Sequence, residues 1–72
     1  MKPDIREKTV LVVKKNGYWL SRREMLTGQI IWDQHLSSAW TTRDRKKAEE
    51  VARITGGTVY LFNQIIWRTK VL

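Results

Sequence analysis

The chain has one histidine, His35, two residues after Asp33. In extended backbone that spacing puts both side chains on one face. A carboxylate that orients an imidazole is the arrangement of a general base. Yet there is no cysteine, and neither Ser37 nor Ser38 lies in a recognisable nucleophile motif. The plainer reading is a polar loop beside a strand. Glu49 and Glu50 fall at adjacent helical positions and point apart, so they do not form a paired acid and base. A metal site would need more converging His, Asp or Glu ligands than these segments bring together. The expectation is a non-enzymatic protein with neither a metal nor another cofactor.

The basic residues say more. Fourteen Lys and Arg face seven Asp and Glu, a formal net charge of +7. Such a surface attracts polyanions, chiefly nucleic acid, or an acidic protein. It also serves solubility alone, since small domains commonly carry a net charge of roughly 2 to 8 in magnitude. The cations fall in groups: Lys14-Lys15, Arg22-Arg23, Arg43 with Arg45, Lys46 and Lys47, then Arg53, then Arg68 with Lys70. The first two pairs flank a hairpin and could face each other across it. The third group sits at a helix start, where the helix dipole prefers anions. Four tryptophans, Trp19, Trp32, Trp40 and Trp67, are many for 72 residues. Two or three of them suffice for a core, and an exposed aromatic beside arginine can stack on a base or anchor a protein contact. The expected nucleic-acid-binding set is Lys14, Lys15, Arg22, Arg23, Arg45, Lys46 and Lys47, with Tyr18 as stacking platform and Trp19 turned inward.

Several elements must position these residues. Residues 1–8 read as a loose leading segment and 9–72 as a single domain. Thr9 to Val13 is β-branched and apolar and reads as a strand. Asn16-Gly17 accepts the positive φ angles of a tight hairpin, with Tyr18 to Ser21 returning. Thr27-Gly28 is a second turn signal before a strand at Gln29–Asp33. Gln34–Ser38 reads as a loop, and Ala39–Thr42 as extended chain that pairs briefly. Asp44 or Thr42 can cap a helix whose apolar stripe is Ala48, Val51, Ala52 and Thr55, with Ile54 at its edge. Gly56-Gly57 ends that helix. Thr58–Phe62 is the next strand, Asn63-Gln64 a turn, and Ile65–Leu72 either a last strand or an apolar tail. The predicted fold is α+β, a small antiparallel sheet with one helix on one face, in the order β-β-β-α-β. The opposite sheet face would then be free for water or a partner.

The stretch from Ala39-Trp40-Thr41-Thr42 through Ala48-Glu49-Glu50-Val51-Ala52, with Gly56-Gly57-Thr58-Val59 after it, resembles small proteins of bacteriophages and prophages of Gram-positive bacteria. Those share an aromatic strand, an Ala-x-x-Val-Ala helix, a Gly-Gly stop and a following strand. The resemblance covers residues 39–59. It implies the fold just derived and a phage origin, and it carries over no catalytic or binding residue.

Absence of cysteine excludes disulfides and zinc fingers and fits a reducing compartment. The leading segment lacks the apolar core of a signal peptide. The longest aliphatic run, Val10–Val13, is far short of the roughly 20 residues that span a bilayer. A protein of the cytoplasm, or of the host cytoplasm if phage-encoded, with no membrane contact, is expected. The leading function is engagement of nucleic acid by a basic surface. The alternative is a protein–protein module, an inhibitor or adaptor of a host or phage protein, working through exposed Trp and Arg. Patterning distinguishes them: the first needs cations gathered on one face, the second an exposed apolar patch, most readily around Trp67. The apolar Ile65-Ile66-Trp67 segment is also a candidate contact for a homodimer.

Overall fold

The computed structural model describes residues 9–23 and 28–72. Asn16 and Gly17 take φ of 53° and 84° and turn β1 (Thr9–Lys15) back into β2 (Tyr18–Arg23). β3 (Ile30–Asp33) follows, then a single 3-10 turn at Leu36–Ser38 inside the expected loop. Helix α1 (Arg45–Thr55) precedes β4 (Thr58–Asn63) and β5 (Arg68–Val71). The five strands form one antiparallel sheet in the order β3-β2-β1-β4-β5. Of the last segment, Arg68–Val71 is strand, while its apolar start, Ile65–Trp67, belongs to the turn before that strand. The leading segment 1–8 and residues 24–27, with Thr27 of the expected second turn, lie outside the described residues.

The helix forms as its sequence dictates. Asp44 accepts a bond from the Lys47 amide at 3.3 Å, and the Thr42 hydroxyl accepts one from the Asp44 amide at 3.1 Å. Both expected capping residues thus satisfy amides at the helix entrance. Ala48 and Ala52 are buried against the sheet, with Val51 packed beside them. Gly56 adopts φ of 76° and closes the helix, its amide and that of Gly57 both donating to the Ala52 carbonyl.

Strand β1 is buried on both faces, and here the structure departs from expectation. Leu11 and Val13 face α1 together with Leu20, Val59, Ile30, Trp32, Trp40 and Leu61. Val10 and Val12 face the other way, into a second cluster with Trp19, Phe62, Leu36, Ala39 and Tyr60. The far face of the sheet is therefore not free. The reason is in the run Val10–Val13: four apolar residues in succession supply both faces, whereas a half-solvated strand alternates.

The two halves of the first hairpin also part. Beyond Lys14–Trp19 and Lys15–Tyr18 they cease to pair, and β2 carries an irregularity between Leu20 and Arg22. The segment before α1 fills the gap. The Trp40 amide donates to the Leu20 carbonyl at 2.7 Å, while Leu11 and Thr42 exchange bonds of 2.7 and 3.1 Å. Backbone groups that the splayed strands would leave unpaired find partners in this wedge.

Candidate functional site

Asp33 ends β3, and its Oδ1 accepts a bond from the His35 backbone amide at 2.7 Å. The carboxylate serves the turn that follows and does not orient the imidazole. Ser37 and Ser38 lie in that 3-10 turn. Among the described residues no three His, Asp or Glu side chains gather as metal ligands would.

The expected cationic set does not converge. Lys14 and Lys15, neighbours in sequence, go to opposite faces of the sheet because successive strand residues do. Lys14 Nζ stands 5.0 Å from the centre of the Trp19 ring and 5.6 Å from that of Tyr60. The two rings meet edge to face at 5.5 Å. Lys14 thus roofs the second core, with Trp19 only 8% exposed beneath it. Lys15 Nζ instead donates to the Thr55 carbonyl at 3.1 Å, placing a cation at the helix C-terminus where the dipole favours one. Arg45 is bound to Glu49 at 2.9 Å. Lys14 and Lys15 pair with Trp19 and Tyr18 of β2, whereas Arg22 and Arg23 pair with Ile31 and Ile30 of β3. Arg22 lines a groove with Lys47 over Leu20, Ile30, Trp40 and Ile54. Lys46 is exposed on α1, away from that groove. Tyr18 is 49% exposed and borders a shallow hollow with Lys15, Asn16 and Trp32.

A different set of cations does come together. The helix-side face of β4 and β5 carries two adjoining hollows that share Thr9 and Leu61. Arg43 and Arg45 line one, Arg68 and Lys70 the other, with no acid among the described lining residues. Arg68 and Lys70 lie two apart on one strand and so share a face. That spacing is the signal by which the sequence could have revealed half of this patch; Arg43 joins it only through the fold.

The β4–β5 turn and the strand after it bear most of the exposed large apolar side chains. The Asn63 side-chain oxygen accepts bonds from the Ile65 and Ile66 amides at 2.9 and 3.2 Å and so shapes the turn into β5. Ile65 and Ile66 project from it, and Val71 and Leu72 follow on and after the strand, all exposed. Trp67, at φ of 55°, packs edge to face on Phe62 with ring centres 4.9 Å apart, yet stays 56% exposed. A Trp held by its neighbour and open on its other side has lost rotamer freedom before any partner arrives, which lowers the ordering cost of contact.

No protein-family model, curated protein or solved structure matches the chain. Among the described residues no helix is long and apolar enough to cross a membrane. Chemically, the arrangement offers exposed Ile65, Ile66 and Trp67 at the β4–β5 turn, next to the hollow lined by Ile66, Arg68 and Lys70.

Proposed function

We propose that the chain is a small non-enzymatic protein–protein interaction module acting through the β4–β5 end of its sheet. The observation that carries this reading is the run of exposed Ile65, Ile66 and Trp67 at the β4–β5 turn, with Trp67 fixed on Phe62. Contiguous exposed apolar surface commonly marks an interaction site, and Trp and Arg are enriched among the residues that dominate binding. The nearby Arg68 and Lys70 favour a partner of acidic character. The phage resemblance favours an inhibitor or adaptor of a host protein, working in the host cytoplasm.

Nucleic acid binding is the second reading, carried by the convergence of Arg43, Arg45, Arg68 and Lys70 on one pair of hollows. One comparison separates the two. A defined host protein retained by wild type and by Lys14→Ala, and lost by Ile66→Glu, supports the interaction module. Micromolar binding of single- or double-stranded DNA or RNA replaces that reading if it falls with salt at a log–log slope of several units, vanishes in an Arg45→Ala/Arg68→Ala/Lys70→Ala variant and ignores Ile66→Glu.

A further inference from the structure

Strand β5 ends the sheet, so its outer edge has no strand beside it among the described residues. One bond fixes which backbone groups point outward. The Leu72 amide donates to the Val59 carbonyl at 3.1 Å. Antiparallel ladders alternate between pairs that exchange bonds and pairs that do not. With Leu61 opposite Lys70 and Asn63 opposite Arg68, Lys70 and Arg68 turn their backbone groups inward to β4. Thr69 and Val71 therefore direct theirs away from the sheet. The side chains alternate as well: Arg68 and Lys70 stand on the helix side, Thr69 and Val71 on the other, and all four are exposed.

Such an edge is a template for another strand. A second copy of this chain suits it poorly. In the two symmetric registers that pair both Thr69 and Val71 within residues 67–72, either Arg68 falls opposite Lys70 or Lys70 falls opposite itself. Like charges directly opposite each other destabilise a strand pair. The same cations favour a strand of opposite sign.

We infer that the outer edge of β5 accepts an extended acidic segment of a partner protein as a sixth strand, an inference that rests on the interaction reading above. The outward amides and carbonyls of Thr69 and Val71 supply the ladder. Carboxylates at alternate positions of the segment meet Arg68 and Lys70, and apolar residues between them lie beside Val71 on the opposite face. In this mode main-chain bonds give affinity and alternate side chains give specificity.

The probe is a short labelled peptide of alternating glutamate and valine, added to the full chain. Its controls are the lysine–valine counterpart and a glutamate–valine peptide N-methylated at every second amide. The glutamate peptide is expected to bind and to slow amide exchange at Thr69 and Val71 by about tenfold or more, while the N-methylated one does not bind. An Arg68→Glu/Lys70→Glu variant, folded by circular dichroism, is expected to lose the glutamate peptide and gain the lysine one. Equal binding of both peptides, unchanged exchange at Thr69 and Val71, or equal competition by a single-stranded oligonucleotide would each overturn the inference. If the peptide fails while a host protein is still retained and lost by Ile66→Glu, strand addition alone is wrong. If both fail, the interaction reading falls with it.

Discussion

Val13 Cγ1 stands where a side chain on residue 57 would begin: a Cβ built on Gly57 would lie 2.5 Å from it. The Lys14 carbonyl, at 3.1 Å, closes the space from the backbone side. Gly57 is thus required by the approach of β4 to β1 just after the helix stop. Gly57→Ala is expected to destabilise the fold by about 1–3 kcal/mol, the usual cost of overpacking a filled core. Chemical denaturation measures it. In a double-mutant cycle, Val13→Ala is expected to relieve part of the Gly57→Ala cost, because residues in contact are not additive. Strict additivity would show that the clash is not with Val13.

Lys14→Met keeps the stem over Trp19 and Tyr60 and removes the charge. The expected loss is about 0.5–1 kcal/mol, the worth of a cation over an aromatic face at a site open to water. Equilibrium unfolding followed by tryptophan fluorescence reads it. An unchanged midpoint would mean that the ammonium group contributes nothing at that position.

Asp44→Ala removes the side-chain bond to the Lys47 amide. A loss of about 0.5–2 kcal/mol is expected, as for other N-cap truncations. Asp44→Asn is expected to restore most of it, since asparagine caps about as well. Thermal melts of the three proteins make the comparison.

The helix and the first turn were legible because their determinants are local. Asn16-Gly17 names its own turn, and Ala48, Val51, Ala52 and Thr55 mark one face without reference to anything distant. The second core was written in the unbroken run Val10–Val13, although one helix over one sheet does not call for it. The wedge at Trp40–Thr42 was legible only as extended chain. Its partners, Leu11 and Leu20, are chosen by the divergence of β1 from β2, which no local pattern announces. The cations show the same limit. Lys14 and Lys15 are adjacent in sequence and opposed in space, while Arg43 and Arg68 are far apart in sequence and line adjoining hollows. A cluster read along the chain is a cluster on the surface only where a single helix face or alternate strand positions make it so, as for Arg68 and Lys70.

Ile66 is exposed, so Ile66→Glu is expected to change stability by no more than about 0.5 kcal/mol. A larger loss in urea denaturation would show that the residue supports the turn, and its use as a binding probe would need Ile65→Glu instead.

The charges on β5 are expected to keep the chain monomeric. Replacing them, as Arg68→Thr/Lys70→Val, would leave a plain β-branched edge of the kind that pairs with its own copy. Sedimentation velocity is expected to show a wild-type monomer and a concentration-dependent dimer for the variant. A wild-type dimer broken by Lys70→Glu would reverse the assignment.

The bonds from Trp40 and Thr42 to Leu20 and Leu11 make the stretch before α1 a seam rather than a connector. Connecting segments on protein surfaces ordinarily tolerate added residues. Here an insertion between Ser38 and Trp40 would shift the register of the seam and open the sheet between its second strand and its centre. The same insertion at Asn16-Gly17 would lengthen only a hairpin tip.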